Sequence, residues 1–159
     1  MNPFQYVSAQ TPDEAISYIG TNGRYLAGGI DLLGEMKDHI ISPDILVNVK
    51  NLDTSGFPPQ GMPTPPLKIQ LTFSPNESGG FWLSSTVTMT ELSLHADLKK
   101  ALPGVVEAAS EVGSPQIRDV ATLGGNLLQH SRCWYYRQPD IVCLKRGGDE
   151  CHSHEGENK

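Results

Sequence analysis

The chain has 159 residues, a formal net charge of -6, 38% hydrophobic and 19% charged residues. That is the composition of a soluble globular domain long enough to bury a core. The acidic balance, with no stripe of Lys and Arg, argues against a nucleic-acid partner, and no apolar stretch reaches membrane-spanning length.

The opening residues Met1-Asn2-Pro3-Phe4-Gln5-Tyr6 lack a basic segment followed by an apolar one, so no secretory signal is read and the cytoplasm is expected. Phe4–Val7 reads as a short strand. Thr11-Pro12-Asp13-Glu14 is a helix start, with Thr11 as N-cap, Pro12 at the first helical position and two acids in the first turn. Ala15, Ile16 and Ile19 give that helix an apolar face, and Gly20 or Gly23 ends it. Tyr25–Ala27 reads as a strand, Asp31 through Met36 as a short helix, and Ile45–Val49 as a buried strand. Thr54–Pro66 is rich in Pro and Gly and reads as an exposed loop. Leu67–Leu71 and Phe81–Ser85 read as strands joined by a hairpin turn at Asn76–Gly80. Thr90-Glu91-Leu92 opens a helical region, and Val105–Val112 is a further helix closed by Gly113.

Two glycine pairs sit in similar surroundings far apart in the chain. The first is Leu26-Ala27-Gly28-Gly29-Ile30-Asp31-Leu32, the second Ala121-Thr122-Leu123-Gly124-Gly125-Asn126-Leu127. A Gly-Gly step lets backbone approach a ligand closely and lets amides converge on an anion. Each pair alone reads as an ordinary tight turn; two with these flanks suit the two ends of a long phosphate-containing cofactor. The element order is that of a mixed α/β or α+β fold. Neither GxGxxG nor GxxxxGK[ST] is present, which argues against a doubly wound dinucleotide fold and an NTP-hydrolysing P-loop.

All three cysteines, Cys133, Cys143 and Cys151, lie near the C-terminus in the spacing C-x9-C-x7-C. An odd number without an export signal argues against a disulfide framework. Thiolates suit iron–sulfur clusters or zinc, and three unligated thiols remain an alternative. His39, His95 and His130 read as surface or packing residues, with His130 set apart by its closeness to the second glycine pair.

Ala27-Gly28-Gly29-Ile30-Asp31-Leu32 resembles the AGGTDL element of the FAD-binding medium subunits of molybdenum hydroxylases, the xanthine dehydrogenase, carbon monoxide dehydrogenase and hydroxybenzoyl-CoA reductase group. Ile117-Arg118-Asp119-Val120-Ala121-Thr122-Leu123-Gly124-Gly125-Asn126-Leu127 resembles that family's IRxxATxGGNL. The resemblance implies an α+β FAD-binding domain of the vanillyl-alcohol-oxidase type. Residues 1–53 would form a small N-terminal α/β subdomain and 54–66 a loop. Residues 67–130 would form part of a larger α+β subdomain, and 131–159 a cysteine-containing cluster segment. It further implies that Leu26, Ala27, Gly28, Gly29, Ile30, Asp31 and Leu32 bind FAD on the pyrophosphate side. Thr122, Gly124, Gly125 and Asn126 would line the flavin side. Asp31 is expected to brace its own turn or cap the following helix. Ile30 stands where the family carries Thr or Ser, so a hydroxyl contact is lost while the amide remains.

Arg132-Cys133-Trp134-Tyr135-Tyr136-Arg137 and Gly147-Gly148-Asp149-Glu150-Cys151 are similar to the branch of these subunits that carries an extra four-iron four-sulfur cluster. Cys133, Cys143 and Cys151 would be metal ligands, the fourth being supplied beyond Lys159 or by His152 or His154. The implied function is electron transfer between iron–sulfur centres and FAD, with no catalytic acid, base or nucleophile on this chain. The implied partners are a large molybdenum-cofactor subunit and a small two-cluster iron–sulfur subunit. Family members are longer, and this chain stops near their midpoint. Competing readings are a zinc-stabilised, non-catalytic interaction domain and a self-contained flavin oxidase; bound flavin separates the first of these from the leading one.

Overall fold

A computed structural model describes residues 1–52 and 83–155. The N-terminal part alternates strand and helix: β1 (Gln5–Ser8), α1 (Pro12–Tyr18), β2 (Gly23–Leu26), α2 (Leu32–Lys37) and β3 (Ile45–Asn48). β3 is the centre of a three-stranded sheet of order β1-β3-β2. Both pairings are parallel, with Ile45 opposite Gln5 on one side and Gly23 on the other. Parallel neighbours need crossover connections, and α1 and α2 provide them. Leu46 and Val47 of the central strand are fully buried, as the unbroken apolar run Ile45-Leu46-Val47 requires. Val47 packs with Ala9 and Ala15 in a small core, to which Val7, Ile19 and Val49 add partly buried surface.

The first helix begins as the sequence dictates. The Thr11 hydroxyl accepts from the Glu14 amide at 3.2 Å, and the Glu14 carboxylate accepts in return from the Gln10 amide at 2.7 Å. Ala15 faces the core, whereas Ile16 is left largely exposed.

The second part is helical: α3 (Met89–Leu94), α4 (Ala96–Ala101), α5 (Pro103–Ser110), α6 (Pro115–Val120) and α7 (Leu123–Leu127). Thr88 and Glu91 form a capping box that starts α3, each side chain accepting from the other's amide. Met89, Leu92, Leu98, Val106 and Ala109 close a second core with Val87. Pro103 opens α5 two residues ahead of the expected start, because its fixed φ suits the first helical position. Ser114, followed by Pro115, starts α6, whose IRDV sequence has too little apolar periodicity to announce a helix.

The described part of the expected Phe81–Ser85 strand, Leu83–Ser85, is not in a strand. The Thr54–Pro66 loop, the Leu67–Leu71 strand and the Asn76–Gly80 turn lie outside the described residues. The cysteine segment follows as α8 (Trp134–Arg137), a 3-10 turn over Leu144–Arg146 and α9 (His152–Glu155).

Leu98 is 0% exposed at the centre of the helical core. Leu98→Ala is expected to cost about 2–5 kcal/mol of stability. Thr88→Ala, which removes half of a capping box, is expected to cost about 0.5–2 kcal/mol. Urea unfolding of both variants beside the wild type measures the two losses.

Candidate functional site

The first glycine pair is a true turn. Gly29 has φ of 75°, a left-handed conformation that disfavours any side chain. Gly28 is constrained by contact: a Cβ there would lie 2.2 Å from the carbonyl oxygen of Val120. The backbone of the first motif therefore presses directly on the residue that precedes Ala121-Thr122. Only a glycine permits that approach, and it brings together two motifs almost a hundred residues apart. Among the described residues, the amides of Gly28, Gly29, Ile30 and Asp31 donate to no protein acceptor. The Leu26 carbonyl, by contrast, is used by the Val49 amide at 2.9 Å, so Leu26 belongs to the sheet.

The second pair is built differently. Gly124 and Gly125 lie inside α7 and neither has positive φ, so this motif is the opening of a short helix and not a left-handed turn. The Thr122 hydroxyl accepts from the Gly125 amide at 3.2 Å and caps that helix. The Gly124 amide donates to the Ser85 carbonyl at 2.7 Å, and a Cβ on Gly124 would meet Ser85 at 2.9 Å. Thr122 itself is 1% exposed and pairs across an isolated antiparallel bridge with Thr88. Glycine here serves close packing, since local sequence cannot distinguish a Gly-Gly that turns from one that packs.

Between the two motifs opens a cavity of about 1130 Å³, at or above the ~300–1,000 Å³ typical of small-molecule and cofactor sites. Ala27 through Leu32 form one part of its wall; Thr122, Gly124, Gly125 and Asn126 form another. Ser84, Ser85 and Thr86 add polar groups, and Ile16, Val49 and Leu52 add apolar surface. Of the residues predicted to bind FAD, only Leu26 lies outside this wall.

Behind the first motif lies a polar cluster that no local pattern announced. Asp31 accepts from Arg137 Nη2 at 2.6 Å and from the His130 amide at 2.8 Å. Burial alone would raise the Asp31 pKa, but the His130 amide and Arg137 outweigh it and hold the carboxyl below its ordinary value. Asp31 stands at the N-cap of α2 without a side-chain capping bond, and its carboxylate bonds go across the chain to residues 130 and 137 instead of to its own turn. Glu35, 3% exposed on α2, accepts from the Tyr136 hydroxyl at 2.6 Å and lies 2.8 Å from His130 Nδ1. Burial, then the Glu35 carboxylate, pushes the Tyr136 hydroxyl up to about 12. These partners are 95 to 106 residues apart in sequence, beyond the reach of periodicity or capping rules.

The cysteines are less gathered. Cys133 caps α8, Cys143 is buried at the head of the 3-10 turn, and Cys151 precedes α9. The Tyr136 amide above all lowers the Cys133 pKa; burial opposes it, and the Tyr135 amide and the Ser153 side chain add to the lowering, so the net effect favours thiolate. Among the described residues, no group of three or more His, Cys, Asp and Glu side chains is placed to hold a metal ion. Arg146 orders this segment instead, donating to the carbonyls of Gln138, Pro139 and Ile141.

Comparison with known proteins places this geometry. Residues 68–143 match the family described as the FAD binding domain in molybdopterin dehydrogenase. The aldehyde oxidoreductase FAD-binding subunit of Escherichia coli is 32% identical over 159 residues, 98% of this chain and 45% of that protein. The nicotinate dehydrogenase FAD-subunit of Eubacterium barkeri is 28% identical over 80% of this chain and 39% of its own length. Among solved structures, CO dehydrogenase from Oligotropha carboxidovorans superposes with a TM-score of 0.62 at 23% identity, over 79% of this chain and 39% of that one. Quinoline 2-oxidoreductase from Pseudomonas putida gives 0.61 at 22%, again over 79% and 39%. At that identity the superpositions speak for the fold alone. The chain thus spans less than half the length of the relatives it matches. The chain is thus similar to FAD-binding subunits of molybdenum-dependent dehydrogenases, and its residues 68–143 match the FAD binding domain of molybdopterin dehydrogenases.

Proposed function

We propose that this chain is the FAD-binding portion of an electron-transfer subunit of a molybdenum-containing hydroxylase or dehydrogenase. The observation that carries the reading is the single cavity walled by both glycine motifs in a chain with that similarity. Its finer architecture is that of the vanillyl-alcohol-oxidase type. Residues 1–53 are the small subdomain, 54–66 a connecting loop, 67–130 part of the larger subdomain and 131–159 an appended cysteine segment.

The wall fits the cofactor's chemistry. The free amides of Gly28 to Asp31 suit the anionic diphosphate, and glycine at 28 and 29 permits the backbone course that presents them, against Val120 at one and with positive φ at the other. Ile30 contributes only its amide there. On the flavin side, the amides of Gly124 and Gly125 are committed within the protein, so these glycines contribute close backbone approach. Asn126 lines the cavity and, among the described residues, its carboxamide has no hydrogen-bond partner, which leaves it free to meet a polar edge. Bound FAD supplies the redox chemistry that side chains lack. The residues of this chain bind it, orient it and shield it from water; none is assigned as acid, base or nucleophile.

The proposed partners are a large molybdenum-cofactor subunit and a small two-cluster iron–sulfur subunit, with electrons passing between iron–sulfur centres and FAD. The cytoplasm is the proposed compartment, in keeping with three free cysteines. The assignment of Cys133, Cys143 and Cys151 as ligands of a four-iron cluster rests on their sequence pattern and on the thiolate-favouring surroundings of Cys133. Because the described residues do not gather the three thiols, no step is routed through that cluster.

Flavin and iron assays of anaerobically purified protein test both assignments. About one FAD and four irons per chain are expected; colourless protein refutes the FAD assignment, and yellow iron-free protein refutes the cluster. Gly28→Ala is expected to lose FAD and about 1–3 kcal/mol of stability, because its methyl overlaps the Val120 carbonyl. Gly104→Ala, in α5 with open space around it, is the control and is expected to keep both. Flavin retention after desalting and denaturant midpoints distinguish the two variants.

A further inference from the structure

We propose that Arg132, carried on the cysteine segment, is the cation that binds the FAD diphosphate, and that contacts from Asp31 and Glu35 to residues 130–137 hold it in place. This rests on the FAD reading above. Arg132 lines the same cavity as Gly28 to Asp31. It is exposed, and among the described residues it has neither an ion-pair nor a hydrogen-bond partner, although its charge reaches Asp31. Arg24 supplies the other Lys or Arg side chain in the described cavity wall, and it donates to the Gly23 carbonyl at 2.8 Å.

The electrostatics of the first turn call for such a cation. Asp31 puts a carboxylate in the motif proposed to receive a diphosphate, and like charges at that range repel. Arg137 at 2.6 Å and the His130 amide at 2.8 Å offset it. With Asp31 neutralised, Arg132 gives the turn a surplus positive charge. An arginine with a free planar fork is also the side chain best shaped for phosphate oxygens.

The same bonds position Arg132. His130 is tied to Asp31 and Glu35, Tyr136 to Glu35, and Arg137 to both Asp31 and the Ser131 carbonyl. The residue therefore sits between two anchored points, both fastened to the turn and its following helix. On this account the cysteine segment belongs to the flavin site, whether or not it also binds a metal.

The test titrates the apo form of the full chain with FAD by quenching of flavin fluorescence, at low and high salt. Arg132→Gln is expected to weaken FAD binding roughly ten- to hundredfold and to flatten its salt dependence. Arg132→Lys is expected to recover part of the loss, and Lys99→Gln, an exposed cation on α4 away from the cavity, to bind as the wild type. Arg137→Met removes the cation paired with Asp31 and is expected to weaken binding as well; circular dichroism checks that each variant is folded. Wild-type affinity and salt dependence in Arg132→Gln, or an equal loss in Lys99→Gln, overturn the assignment of the cation. Unchanged affinity in folded Arg137→Met overturns the anchoring. A wild-type chain that takes up no FAD overturns the FAD reading itself, a result distinct from a selective failure of the variants.

Discussion

The contact between Gly28 and the Val120 carbonyl is the constraint on which the site depends. With a Cβ-to-oxygen separation of 2.2 Å, no larger residue fits without moving one backbone or the other. That one contact seats the parallel-sheet part of the molecule against the helical part, and it sets the first motif alongside the entrance to the second. Each part has its own small core, one around Val47 and one around Leu92 and Leu98. Neither core alone would form the cavity, which exists because the two motifs meet.

The two glycine pairs look alike in sequence and do different work. Gly29 needs its left-handed φ, and among the described residues the amides around it donate to no protein acceptor. Gly124 and Gly125 are helical, with their amides already taken by Ser85 and Thr122. A cofactor with one charged portion and one flat aromatic portion matches that division. Free donors suit an anion, and a bare backbone surface suits a ring system that needs close approach.

The polar cluster behind the first turn solves a problem that Asp31 creates. A partly buried carboxylate such as Asp31 is unfavourable unless its charge is offset, and a buried Glu35 is unfavourable unless it is hydrogen-bonded. Both conditions are met by a stretch of eight residues from His130 to Arg137. The cysteine segment is thereby fixed to the cofactor wall by acidic groups of the N-terminal part. Its thiols are distributed over three separate local elements, and Cys133 is the one whose surroundings favour the thiolate.

Local physics made much of this legible in advance. Thr11-Pro12-Asp13-Glu14 specified a helix start, the apolar run at Ile45 a buried strand, and the family motifs around Gly28 and Gly124 the residues of the cavity wall. These signals act over one to four residues, the range of a cap, a strand period or a turn. What lay beyond that range was decided by the tertiary structure. Whether a Gly-Gly turns or packs depends on what lies opposite it, so Gly124 became helical against Ser85. The partners of Asp31 and Glu35 come from the far end of the chain, where the fold alone sets the distance. The sequence determined the first helix, the central strand and the two motif stretches of the wall; only packing decided which charges meet, because an ion pair between residues 31 and 137 has no signature in either neighbourhood.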